Sequence, residues 1–387
     1  MKILMLAPEP FFQPRGTPIS VYFRIRALGD LGHQVDLVTY PLGGDVPLEN
    51  LRVFRALNIL GLKTIKIGPS LAKLPLDALL FARAVLRLLG RRYDIIFTHE
   101  EAAVMGSILG FLSRTPHIYD MHSSLPQQLS NFDFSRSRFL RAVFVALENF
   151  YLKRSESVIV ICRDLMEKVS RDGYGDKAHL IENVLKFPSE SFPAADVAKK
   201  KKDYAPGGQK IVLYAGNFQR YQGISLLLEA AARVKDKAVF LLLGGTGAEL
   251  EAMKRKAAEL GIAAKVVFAD KVPPARVALF IELADVLVSP RLAGTNTPLK
   301  IYSFLKSGRP LVATDLWTHT QILDERISVL VEPDPESLAA GISFALNDPE
   351  ARRRAKAARD MADREYTRER YTEKMRLCLE TALRKRS

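Results

Sequence analysis

At 387 residues, 48% hydrophobic and 26% charged, the chain is too long for one core and too apolar to be disordered, so two folded domains are expected. No run reaches the ~20 uncharged apolar residues that span a bilayer. The two cysteines, Cys162 and Cys378, match no metal or redox spacing and suggest a reducing, cytoplasmic compartment. The net charge of +14 leaves an anionic partner surface open.

The first segment, KILMLAP, reads as a buried strand whose apolar run stops at Pro8, Glu9 and Pro10, unlike a signal peptide. A helix is expected over 19–31, closed by Gly32, and QVDLVTY is the next strand. Residues 51–92 carry nine Lys or Arg against one acid, Asp77, and include a helical stretch over 71–89. Basic plus apolar composition suits an anionic lipid surface, with Leu57, Ile59, Leu60 and Leu62 beside Arg55, Lys63 and Lys66. The alternative is a solvated basic face on ordinary helices. Aromatics are sparse there and no nucleic-acid signature occurs, so no nucleic-acid partner is expected. YDIIFTH, PHIYDMH and SVIVIC are strands separated by helical stretches over 102–112 and 138–154.

Between Leu185 and Gln209 the pattern breaks into three Pro, two Gly and a run of four Lys, which reads as a linker. The alternation then restarts with the strands KIVLYAG, AVFLLLGG, KVVFAD, ADVLVSP, PLVATD and SVLVEP, and a charged helical tail over 349–384 closes the chain. Strands alternating with helices imply parallel sheets with crossover helices. The fold class is therefore α/β, with two consecutive doubly wound, Rossmann-like domains.

Ligands of open α/β sheets sit at the carboxyl ends of strands, so the strand-to-helix junctions carry the functional reading. A Pro-rich loop delivers Gly16 to a helix start, where backbone can approach a ligand. Asp120 and His122 end an apolar strand on one face, and a histidine there can orient a substrate hydroxyl or exchange its proton. Gly216 and Gly223 flank Asn217, Arg220 and Gln222, while Gly244 and Thr246 sit in a second glycine-rich turn. No GxxxxGK[ST] loop occurs.

The fifth junction, SPRLAGTNTPLKIYSFLKSG, is the most informative. Thr297 is expected to cap a helix beginning at Pro298. Amides near Asn296, Thr297 and Leu299, with Arg291 and Lys300 beside them, would hold a phosphate or diphosphate.

Taken in order, these pieces resemble the retaining, GT-B-fold glycosyltransferases of family 4 over essentially the whole length. The matching segments include G16TPISV, YDMH, YAGNF…YQGISLLLEA, LLLGGTGAELEAM with VVFADKVP, and GTNTPLKIYSFLKSGRPLVATD. The resemblance implies an acceptor-binding domain over 1–185, a linker over 186–208, a donor-binding domain over 209–361 and a helix over 362–387 returning to the first domain. It implies two Rossmann-like domains facing across a cleft.

By the same resemblance His122 contacts the transferred sugar. Gly16, Arg220, Arg291, Asn296, Thr297, Leu299 and Lys300 hold the donor diphosphate and sugar. Gly244, Thr246, Lys271 and Ser303 hold the nucleoside, and Thr17 and Asp120 the acceptor. The donor would be a nucleoside-diphosphate sugar, the acceptor a glycan or lipid-linked molecule. No further cofactor and no metal is expected, and the protein would sit in the cytoplasm, peripherally on the inner face of the membrane.

The chain departs from the family pattern where two glutamates are common, with Thr295 and Ser303 in their place, and where Asn217 and Gln222 replace Arg and Lys. A catalytically silent relative that binds a sugar nucleotide or glycan is the rival reading. A nicotinamide-dependent oxidoreductase is set aside, because the first strand is not followed by GxGxxG.

Overall fold

The computed structural model describes residues 1–13, 16–59, 61–65, 73–126, 138–183, 192–269 and 272–384. The chain forms two compact units, Met1–Asn183 with Arg368–Ser387, and Val184–Thr367.

The first unit holds a sheet of seven parallel strands: β1 (Lys2–Ala7), β2 (Gln34–Thr39), β3 (Leu51–Arg55), β4 (Ile95–His99), β5 (His117–Met121), β6 (Ser157–Val160) and β7 (Ala178–Leu180), in the order β3-β2-β1-β4-β5-β6-β7. Helices α1 (Gly16–Asp30), α2 (Leu74–Gly90), α3 (Ala102–Ser113), α4 (Arg138–Arg154) and α5 (Arg163–Arg171) connect them. A terminal helix, Arg368–Arg384, packs on α1 and β6. Ile3 through Ala7 are all fully buried, as continuous apolar runs should be when helices cover both faces of a parallel sheet.

The second unit is built alike. Its elements are α6 (Ala194–Tyr204), β8 (Lys210–Ala215), α7 (Ile224–Arg233), β9 (Ala238–Leu243), α8 (Gly247–Glu259), β10 (Val266–Ala269), α9 (Pro274–Leu283), β11 (Val286–Ser289), α10 (Leu299–Ser307), β12 (Leu311–Thr314), α11 (Trp317–Thr320), β13 (Val329–Val331), α12 (Pro335–Asn347) and α13 (Pro349–Glu365). The six strands are parallel in the order β10-β9-β8-β11-β12-β13, with separate apolar clusters on the two faces. Asp334 caps α12 by accepting from the Ser337 amide at 2.8 Å, with Pro335 in the first turn.

The structure differs from the sequence expectations at the joins. The stretch 186–208 is not all linker, because Ala194–Tyr204 forms α6 and packs on α9. Its lysine run is compatible with a helix once Lys201 pairs with Asp285 at 2.7 Å. The tail over 349–384 is two helices. The break follows Tyr366, whose carbonyl accepts from Lys306 of α10 and whose ring meets Tyr302 edge-on at 5.1 Å.

Candidate active site

In the first unit the strand order reverses between β1 and β4, and ligands of such sheets sit beyond the carboxyl ends at that point. Pairing of β4 with β5 sets His99 opposite Asp120, and His122 follows one residue past β5. His99 Nδ1 lies 3.3 Å from His122 Nε2 and 3.3 Å from Asp120 Oδ2, and His122 Nε2 is 3.4 Å from that oxygen.

Arg24 of α1 completes the group. It donates to both Asp120 oxygens at 2.8 and 3.3 Å, to the Ile181 carbonyl at 2.9 Å and to the Tyr371 hydroxyl of the terminal helix at 2.5 Å. Burial pushes the Asp120 carboxyl upward, but the Arg24 guanidinium, with His122 and His99, holds it well below the usual carboxylate range. Burial pushes His99 down to about 4, so its imidazole is neutral at pH 7. Its Nε2 is buried and meets no hydrogen-bond partner among the described residues.

Asp120 was expected to touch an acceptor. It is fully buried with both oxygens engaged, so it orients His99, His122 and Arg24 instead. Gly16 begins α1 at φ +42° and is exposed, and Thr17 behind it is half-buried.

Beside this group stands a residue the sequence reading passed over. Glu100 has a left-handed backbone, φ +48°, which a side chain larger than hydrogen rarely adopts. Burial pushes its carboxyl up to about 7, and Ser123 donates to it at 3.1 Å.

His99, Asp120 and His122 are the one group among the described residues whose donor atoms converge as metal ligands would. Arg24 already places a fixed positive charge on the same Asp120 oxygen, which opposes a second cation there.

In the second unit the order reverses between β8 and β11. The loops beyond these strands are locked by close backbone contacts. Gly223, at φ +73°, leaves no room for a Cβ, which would lie 1.8 Å from the Pro290 carbonyl oxygen, and a Cβ on Gly244 would lie 2.6 Å from that of Gly216. The loop over 291–298 is held by its carbonyls. Asn296 O accepts from Arg291 Nη1 at 3.0 Å and Thr318 Oγ1 at 2.6 Å, and Thr295 O accepts from Gln321 Nε2 at 2.6 Å. In a trans peptide the N–H opposes the C=O, so the amides of Asn296 and Thr297 turn away from these tethers.

Thr297 does not cap a helix. Pro298 is extended at ψ 131° and itself stands as the N-cap residue, so α10 starts at Leu299, one residue later than expected. The Thr297 hydroxyl is left buried without a hydrogen-bond partner among the described residues. So are Arg291 Nε and Lys300 Nζ, the latter 3.9 Å from the centre of the Tyr214 ring. Burial, with Arg291 nearby, pushes the Lys300 pKa well below its ordinary value, and burial lowers that of Arg291.

Lys300 Nζ, Arg291 Nε, the Thr297 hydroxyl and the open amides of the first turn of α10 thus gather donors without an acceptor among the described residues. Buried donors in this state are unfavourable until an acceptor-rich anion arrives.

The remaining predicted positions are peripheral to this group or outside it. Leu299 opens α10 and Ser303 is half-buried one turn on. Arg220 is exposed, Gly244 is half-buried and Thr246 is an exposed N-cap of α8. Lys271 lies outside the described residues. Gln222, at a position where the family has a cation, is buried with its amide oxygen accepting from the Tyr214 hydroxyl at 3.3 Å. Arg24, His99, Glu100 and Tyr371 were missed in the first unit, and Thr318 and Gln321 in the second.

Comparison with known proteins follows the two units. A family model described as glycosyl transferases group 1 matches residues 196–361, and one described as glycosyl transferase 4-like domain matches residues 20–183. The phosphatidyl-myo-inositol mannosyltransferase of Mycobacterium leprae is 26% identical over 372 residues, covering 95% of this chain and 93% of its own. Among solved structures, sucrose-phosphate synthase from Thermosynechococcus elongatus aligns with a TM-score of 0.75 at 22% identity, covering 97% of each chain. HepE of Anabaena, solved in complex with UDP, aligns with a TM-score of 0.75 at 18% identity, covering 98% of this chain and 100% of its own.

Proposed function

The chain belongs to the group 1 glycosyl transferases with a family-4-like first domain and a GT-B fold, and from that membership we propose that it moves a sugar from a nucleoside-diphosphate sugar to a glycan or lipid-linked acceptor with retention of configuration. The observation that carries this reading is the set of buried, unpartnered donors at Arg291, Thr297 and Lys300 before α10. They suit a diphosphate, whose oxygens supply the missing acceptors. A fold neighbour solved with UDP, and a relative named for a phosphatidylinositol substrate, support the donor and acceptor classes.

In this mechanism the bond between the anomeric carbon and the β-phosphate oxygen breaks, and its electron pair goes to the diphosphate. Charge growing on that leaving group is met by Lys300, Arg291 and the start of α10. The acceptor oxygen bonds to the same face of the oxocarbenium-like carbon and gives its proton to the departing phosphate oxygen. His122, oriented by Asp120, contacts the sugar, and Asp120 is in turn held by Arg24.

Thermal shift with UDP-, GDP- and ADP-sugars tests the donor class, and mass spectrometry of the product with a binding donor tests transfer. Stabilisation by one nucleotide series followed by sugar transfer is expected. Binding without transfer or donor hydrolysis would favour the silent relative, and no shift with any series would remove the diphosphate reading.

A further inference from the structure

Helices α2 and α4 of the first unit each hold their single acid in internal contacts, and α3 beside them has no charged residue. On α2, Asp77 accepts from the Tyr40 hydroxyl at 2.5 Å, and Arg87 donates to Asp36 at 2.9 Å with its guanidinium 3.9 Å from the centre of the Phe54 ring. The side of α2 facing water is then Leu74, Ala78, Ala82, Leu86 and Leu89, an apolar stripe at helical spacing. Helix α3 packs against both α2 and α4 and contains no charged residue. It exposes Phe111 and Leu112 at 62% and 72%. On α4 the single acid, Glu148, is buried against Ser124 and Lys168, while Phe139 is 78% exposed.

An outer helix of an α/β unit ordinarily does the reverse, showing charge to water and apolar side chains to the sheet. Exposed apolar side chains gathered on neighbouring helices in this way mark an interaction site. Its rim decides the partner. Arg91, Arg92, Arg114, Lys153 and Arg154 are half-buried or exposed at the carboxyl ends of the three helices, and Arg154 lies 4.8 Å from the centre of the Phe111 ring. No Asp or Glu is exposed on α2, α3 or α4. Apolar side chains with cations at their rim, on helices that expose no acid, complement a layer of anionic headgroups over acyl chains.

We propose that the α2–α3–α4 face docks on an anionic lipid bilayer. The sequence expectation placed such a contact over residues 51–92, a range that includes α2 as well as the loop after β3. Leu57 and Ile59 are exposed, Leu60 and Lys66 lie outside the described residues, and Arg55 is tied to Asp45 and the Gly44 carbonyl.

Sedimentation of the full chain with phosphatidylcholine vesicles, and with equimolar phosphatidylcholine and phosphatidylglycerol, tests this without donor or acceptor, so its failure leaves the transferase reading intact. Binding to the anionic vesicles is expected. It should weaken at least ~10-fold in Leu89→Glu with Phe111→Glu, both at exposed positions, and stay unchanged in the charge-matched control Lys254→Ala with Arg255→Ala on α8. Equal binding to both vesicles, or wild-type binding by the double glutamate variant, would overturn the proposal. So would a lipid-free dimer, seen by analytical ultracentrifugation, that the same variant abolishes, because the face would then belong to a second copy of the chain.

Discussion

Removing the Lys300 ammonium should separate stability from affinity. Lys300→Met keeps the apolar stem against Tyr214 and deletes a buried ammonium that has no hydrogen-bond partner among the described residues. The unliganded variant should be at least as stable as wild type in urea unfolding, since an uncompensated buried charge opposes folding. Its affinity for nucleoside diphosphate should fall by about 1–3 kcal/mol, roughly 5–150-fold, in calorimetry. The pH dependence follows from the depressed pKa. The unfolded chain keeps this proton up to about 10.5, so it binds more protons than the fold throughout the window between the folded and unfolded values. Stability should rise with pH through that window and fall as pH drops through it. Diphosphate binding should take up a proton there, visible as an enthalpy that changes with the buffer. His122→Ala should lower turnover ~10²-fold or more with a small effect on folding.

His122 was legible as a candidate because a polar residue ending an apolar strand is conspicuous. His99 sends the same signal at the end of YDIIFTH and shows its importance only when β4 and β5 are paired. Arg24 sends none, since its partner Tyr371 is 347 positions away.

At the scale of elements, the junction before α10 was legible as a candidate anion site and illegible in its detail. Composition placed threonine, asparagine and lysine there. The helix start depends on Pro298 being extended, which left the Thr297 hydroxyl unpaired where a cap was expected. The tethers from Thr318 and Gln321 come from the next crossover and carry no local pattern.

The terminal helix is held through Tyr371, so Tyr371→Phe should destabilise the first unit by about 1–3 kcal/mol, measured by urea unfolding, because a charged donor of Arg24 loses its acceptor. Glu100 governs a second pH effect. Its folded pKa of about 7 exceeds the unfolded 4.5, so the fold binds more protons between them and stability declines as pH rises through that interval. Glu100→Gln should remove this decline from a stability–pH profile.

On the scale of the whole molecule, both parallel sheets were visible in the sequence, because fully buried strands read as unbroken apolar runs between helical periods. The short edge strands β3 and β7 were not, being half-buried with weak patterns. Unit boundaries were blurred for another reason. Lysine-rich α6 looks like linker, and the break after Tyr366 is set by Lys306 and Tyr302 rather than by proline or glycine. If Arg24 excludes a cation from the histidine group and Lys300 with Arg291 meets the diphosphate, transfer should persist in EDTA. A loss restored by Mg²⁺ would contradict that assignment.

The first unit is interrupted by the second and finished only by the last helix. During synthesis at ~5–20 residues per second, about 20–70 s elapse between the appearance of Arg24 and that of Tyr371. Through that interval the second unit can fold completely, while the surface that later receives Tyr371, Met375, Cys378 and Leu379 stays uncovered and Arg24 lacks one acceptor. A nascent chain stopped before the terminal helix should therefore present a finished second unit and an unfinished first. Residues needed to support His122 would be the last to arrive, so truncated products should be recognised by holdase chaperones and inactive even when their second unit is native.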